Sequence, residues 1–147
     1  RSRLMRYFDA SALVKRYVRE KGSSAVRRLL SSVVPVTSRL SEVEVASALI
    51  RRAREGAFTI EERDRALTAF ASDLEAMLLV EITEDVTAAA TGLLQRHRLC
   101  AGDAIQLASC MFLQEQVDEP VPFVAFDRRL TDAARLEGLT PLPAARR

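Results

Sequence analysis

Leu4-Met5-Arg6-Tyr7-Phe8-Asp9-Ala10-Ser11-Ala12-Leu13-Val14-Lys15 decides the architecture. Its first five residues form a short apolar-rich run that reads as a β-strand and stops at an acid. From Ala10 to Arg19 the pattern changes: Leu13, Val14 and Tyr17 fall on one face of a helix. A strand that passes through an acid into a helix is half of a βα unit, and the rest of the chain repeats the theme.

A Gly22-Ser23-Ser24 break precedes a second helix through Leu29 and Leu30. Val33 to Thr37 reads as the second strand, with Pro35 pointing to an edge or strand-end position. Ser41 opens a helix that runs to about Glu55 and stops at Gly56. Thr59 followed by Glu62 is a capping-box signature, and Leu67, Phe70, Ala71, Leu74 and Leu78 give the next helix its stripe. Leu78 to Ile82 is a third strand. Thr83 then starts a helix with apolar positions Val86, Ala89, Ala90, Leu93 and Leu94. Gly102-Asp103 begins the most apolar helix, Val121 to Phe126 is a fourth strand ending at Asp127, and Arg128 to Leu136 is a helix closed by Gly138. Leu139 to Leu142 makes a last short strand, and residues 143–147 read as a frayed tail.

Alternating strands and helices predict an α/β fold with a central parallel sheet covered on both faces. Right-handed crossovers bring all strand C-termini to one edge, where ligands bind in such folds. Residues 1–147 read as one domain, with Met5 a candidate natural start and residues 1–4 a leader foreign to it. Ala104 to Gln114, the longest notable uncharged stretch, is too short to span a bilayer. The opening residues lack a secretory pattern, and Cys100 and Cys110 read as small core residues without a disulfide framework. A reducing cytoplasm and no membrane association are expected.

On this reading Asp9, Glu44, Asp103 and Asp127 gather at the carboxyl edge of the sheet. Clustered carboxylates raise one another's pKa unless a cation neutralises them, so the set predicts a divalent metal site and phosphate chemistry. Each acid also has a structural explanation. Asp9 and Asp127 suit N-caps, Glu44 suits the return arm of a capping box from Ser41, and Asp103 suits the positive end of a helix. Four separate helix starts with the same residue class favour the metal. Glu42 lies roughly 200° from Glu44 around the helix, so only one can face the crevice. Glu44 is preferred, since Ala48 and Arg51 share its face. Setting the four acids aside leaves 16 acids against 22 bases, a body suited to a polyanion. His97 reads as a solvated surface residue.

Four segments carry a family resemblance: Tyr7 to Lys15, Thr37 to Leu49, Gly102 to Ser109 and Phe123 to Leu130. In order and spacing they resemble the PIN domain, and within it the VapC ribonuclease toxins of bacterial toxin–antitoxin pairs. The resemblance implies a three-layer α/β/α sandwich in which Asp9, Glu44, Asp103 and Asp127 hold Mg²⁺ or Mn²⁺, with Ser11 near the ion. It also implies hydrolysis of RNA to 5′-phosphate and 3′-hydroxyl ends, a VapB-type antitoxin partner and a homodimer. Many relatives carry Thr or Ser two residues before the last acid, where this chain has Ala125. Lys15, Arg51, Arg128 and Arg129 are candidate RNA contacts, with a solvated helix face as the alternative for each.

Other readings fare worse. A receiver domain wants paired acids after its first strand, a haloacid-dehalogenase-type phosphatase wants Asp-x-Asp, and a dinucleotide binder wants a Gly-rich turn. The competing reading from another class is a catalytically weak regulatory PIN-like module that binds RNA or protein.

Overall fold

The computed structural model describes residues 4–144. The leader reading therefore lies outside the described residues apart from Leu4, and the tail reading apart from Pro143 and Ala144. In chain order the elements are β1 (Met5–Phe8), α1 (Ala10–Tyr17), α2 (Ser23–Leu30), β2 (Val34–Ser38), α3 (Ser41–Arg54) and α4 (Ile60–Glu75). They continue as β3 (Leu78–Val80), α5 (Glu84–Arg96), α6 (Ala101–Val117), β4 (Phe123–Val124), α7 (Arg128–Leu136) and β5 (Pro141–Leu142). The strands form one parallel sheet in the order β3-β2-β1-β4-β5.

Side chains leave successive strand positions on opposite faces, and this alternation builds two cores. Tyr7 and Phe123 point into a core shared with Val86, Leu93 and Leu107 of α5 and α6. Phe8 and Val124, one residue on, point into a second core with Leu13, Val26, Leu49 and Phe70 of α1–α4. The sheet thus lies between two helical layers, as the α/β/α expectation requires. Tyr7 and Phe123 also stack, with ring centroids 5.6 Å apart.

Several elements are shorter than their apolar runs. Val121 is buried, yet Pro120 and Pro122 donate no N–H, and paired residues in β4 begin only at Phe123. Pro35 sits in β2 before pairing with β3 begins at Val36. Val34 N–H donates to Leu4 C=O on the β1 side, so the missing Pro35 N–H faces the side where β3 has not yet started. Ala71, Ala89 and Leu94 are exposed, so the apolar stripes of α4 and α5 are wider than their buried faces. Cys110 is buried, but Cys100 is exposed as the N-cap of α6. No helix among the described residues is long and apolar enough to cross a membrane.

The capping box of α4 is complete: Glu62 N–H donates to Thr59 Oγ1 at 3.1 Å and Thr59 N–H donates to Glu62 Oε1 at 2.8 Å. Thr59→Ala should therefore cost about 1 kcal/mol in urea denaturation, while Thr59→Ser should cost little. Equal losses for the two would remove the cap from the account of this helix.

Candidate active site

The sheet order reverses at β1: β2 lies on one side and β4, reached after a long crossover, on the other. Asp9 follows β1 at this switch point, and its N–H donates to Val124 C=O at 3.1 Å, continuing the β1–β4 ladder. As the N-cap of α1, Asp9 accepts through Oδ1 from Ala12 N–H at 2.8 Å. It is only 3% exposed. Burial pushes its carboxyl up to about 7, and the charges of Asp103, Glu44 and Asp127 push the same way against the Ala12 hydrogen bond.

Asp9 lines a cavity of about 390 Å³ together with Ser11, Glu44, Arg51, Asp103 and Gln106. Glu44 enters from the first turn of α3. Glu42 points outward instead and pairs with Arg39 at 3.3 Å. Asp103 sits in the first turn of α6, where burial raises its pKa and the charge of Asp127 adds to the rise. Asp127 is exposed, caps α7 by accepting from Leu130 N–H at 3.0 Å, and stands outside the cavity wall. It remains near enough to act on both other aspartates.

Two features fix Glu44, and both lie in the Gly102 to Ser109 segment, where the sequence gives neither a role of its own. Gly102 lies against it so closely that a Cβ there would fall 2.7 Å from Glu44 Oε2. Gln106, fully buried on α6, donates from Nε2 to Glu44 Oε1 at 2.9 Å and to Ser41 Oγ at 3.0 Å. Its Oε1 accepts from Tyr7 O–H at 2.6 Å. Thr37 O–H donates to Phe8 C=O at 2.7 Å, which uses its only proton. Ser41 must then be the donor in the 2.7 Å Ser41–Thr37 contact. Every proton in this buried chain has one destination, and the arrangement ties Glu44 to the peptide just before Asp9.

Gln106 lies within the Gly102 to Ser109 segment, yet a single amide there marks no role by itself. Only a polar residue inside an otherwise apolar helical face could have marked it. Gln106→Leu should strand the Tyr7 hydroxyl and release Glu44. We expect a loss of about 1–3 kcal/mol in urea denaturation. Titration calorimetry should also show roughly tenfold weaker Mg²⁺ or Mn²⁺ binding. Unchanged ion affinity would reduce Gln106 to a packing residue.

The candidate RNA contacts separate. Ser11 and Arg51 line the cavity, with Arg51 Nε 3.9 Å from Glu55. Lys15 lines a different hollow, donating to Glu20 and to Lys21 C=O, each at 2.8 Å. Arg128 and Arg129 are exposed, and Arg128 lines a second hollow beyond Asp127. His97 is not solvated: its Nε2 lies 2.6 Å from Glu137 Oε2 with the side chain only 12% exposed. Arg96 joins the same carboxylate, so His97 clasps the ends of α5 and α7, away from the acids.

Among the described residues, no group of three or more acids, histidines or cysteines is close enough to chelate an ion between them. The donors nevertheless fit a hard cation that keeps several waters and takes one or two carboxylates directly. They are oxygens only, Asp9 is buried beside three other acids, and the backbone makes room for Glu44. A cation there would offset the burial and the mutual repulsion that together raise the pKa values of Asp9 and Asp103.

A parallel α/β/α sandwich whose acids line one cavity at the switch point defines a recognisable class of protein. The sequence pattern described as PIN domain matches residues 6–136. The chain is 36% identical over 140 residues to "Ribonuclease VapC49" of Mycobacterium tuberculosis (strain ATCC 25618 / H37Rv), covering 94% of each. Among solved structures it is similar to Mycobacterium tuberculosis VapC20, described as a sarcin–ricin loop cleaving toxin. That match has 20% identity and a TM-score of 0.66 over 88% of this chain and 94% of the other. A toxin–antitoxin complex from Klebsiella pneumoniae shares the fold at 15% identity and a TM-score of 0.63, covering 86% and 89%. The chain belongs to the PIN-domain family, in its VapC branch.

Proposed function

We propose that this protein is an Mg²⁺- or Mn²⁺-dependent endoribonuclease acting as the toxin of a VapBC-type pair. The observation that carries the reading is the cavity at the switch point, which Asp9, Glu44 and Asp103 line and where burial raises both aspartates. The 36% identity to a protein named a ribonuclease supports RNA as the substrate. Residues 1–147 would form one nuclease domain in the cytoplasm, with a VapB-type antitoxin and a second copy of the chain as partners.

In this reading Asp9, Glu44 and Asp103 would hold the ion, and Asp127 would add its charge from the rim. When bound, the divalent ion supplies a lower pKa for water and offsets charge on the phosphate. Glu44, locked by Gln106 and Gly102, orients the attacking water. Ser11 and Arg51 contact the substrate inside the cavity, while Arg128 and Arg129 position it outside through phosphate contacts. Water attacks phosphorus in line, the bond to the 3′-oxygen breaks, and that oxygen takes up a proton. The products carry a 5′-phosphate and a free 3′-hydroxyl. No covalent enzyme intermediate is required.

The test is cleavage of total RNA with Mg²⁺, with Mn²⁺ and with chelator, comparing the parent with Asp103→Asn. We expect cutting only with a divalent ion and a drop of at least about a hundredfold in the variant. Equal rates for the two would sink the assignment. Tight RNA binding without any cutting would favour the regulatory module instead.

A further inference from the structure

We propose that the RNA flanking the cleavage point leaves the acids as a single strand along a basic trough between α2 and α7, an assignment that rests on the ribonuclease reading above. Two adjoining hollows of about 900 and 880 Å³ make up the trough and share Lys21, Phe126, Pro143 and Ala144. Arg28 of α2 stands on one wall and Arg128 of α7 on the other. Lys15 and Arg135 also line it, but their charges are committed to Glu20 at 2.8 Å and Asp132 at 3.1 Å. Lys21, Arg28 and Arg128 are exposed and carry no ion pair among the described residues.

Position gives the trough its meaning. Asp127 lies in the chain between Phe126 and Arg128, and its charge is felt by Asp9 and Asp103. Negative groups at the cavity thus give way to positive ones within a residue or two. A phosphodiester chain suits that change of sign: one phosphate meets the ion held by the acids, and its neighbours meet cations. On the other side of the cavity, α3 offers Arg51, already near Glu55, and the exposed apolar Val43.

The trough floor is aromatic at one point. Phe126 is half-buried and lines both hollows, with the Lys15 ammonium 4.8 Å from its ring centroid. Gly22, at φ +95°, lies against the ring edge, where a Cβ would come within 2.9 Å of Cε2. The same Cβ would fall 3.0 Å from Lys15 Cδ, so the glycine backbone and the lysine stem pack together against the ring. An unpaired base can reach this ring and the ammonium over it, whereas a base held in a duplex cannot, which favours single-stranded RNA.

The experiment measures binding of a labelled, mixed-sequence single-stranded oligoribonucleotide by anisotropy between roughly 50 and 200 mM salt. An Asp9→Asn background prevents cutting, and Lys21→Ala, Arg28→Ala and Arg128→Ala are added together. Single strands release about 0.7 counterion per phosphate neutralised, so removing three cations should lower the slope of log K against log salt by about 2. Arg54→Ala with Arg65→Ala, exposed cations on α3 and α4, should leave the slope unchanged. Circular dichroism confirms folding of each variant. An unchanged slope in the triple variant overturns the trough, even if the parent cuts RNA in Mg²⁺. If the slope holds but binding of a polyglutamate peptide is lost, the trough docks protein and the RNA assignment fails. A parent that never cuts RNA tells against the nuclease reading alone, because the slope is read without cleavage.

Discussion

Asp9→Asn should make the ion-free protein more stable at about pH 8 while lowering RNA cleavage by at least about a hundredfold. Asparagine caps helices as well as aspartate does, so the hydrogen bond to Ala12 N–H survives. What changes is charge. The folded state raises the Asp9 pKa from 3.8 to about 7, so it binds the proton more tightly than the unfolded chain does. That preference favours folding fully below about pH 4 and is lost as pH rises towards 7, leaving a buried anion above it. Each pKa unit is worth 1.36 kcal/mol, and some of the relief is offset by burying an amide. We expect a gain on the order of 1–3 kcal/mol at about pH 8 and little gain at about pH 4, by urea denaturation in chelator. Saturating Mg²⁺ should reverse the ranking by stabilising the parent more than the variant. A gain of equal size at both pH values would show that charge is not its origin.

Gly102→Ala should separate stability from activity. The new methyl meets the end of a flexible side chain, Glu44 Oε2, at 2.7 Å. The carboxylate can swing aside at small cost, and alanine favours helix over glycine by up to about 1 kcal/mol. Thermal stability should therefore hold or rise slightly. Glu44 then loses its alignment with Gln106, and divalent-ion affinity should fall by about 10–100-fold. Cleavage at limiting Mn²⁺ should fall with it and recover at high Mn²⁺. An unchanged ion affinity would mean that Glu44 tolerates the displacement, and the close approach of α3 to α6 would lose its functional meaning.

The layer order and the helices were legible because each rests on local chemistry. Thr59 with Glu62 marks a helix start by itself, and the residues from Arg128 to Leu136 give that helix its observed bounds. Strand lengths were less legible, since an apolar run reports burial rather than pairing. Val121 is as buried as a strand residue, yet Pro122 interrupts the ladder. Asp9, Glu44 and Asp103 were readable as a group from their places at strand ends and helix starts. The Tyr7–Gln106–Ser41–Thr37 chain was not, because its members lie as much as 99 positions apart and meet only after the sheet is assembled. Lys15 shows the converse failure. A lysine one turn beyond Ser11 looks suited to substrate, but the fold closes Glu20 back onto it.

The outermost strands restrict how any companion molecule can attach. β3 has three residues, and β5 has two, one of them Pro141, with Pro143 immediately after. Neither offers a run of free amide groups long enough for a foreign segment to zip onto the sheet, and proline removes donors where β5 would otherwise present them. Self-templated stacking into fibrils is disfavoured for the same reason. An inhibitory peptide would have to grip this protein through side chains and hollows, so its recognition should tolerate backbone N-methylation while remaining sensitive to side-chain replacement.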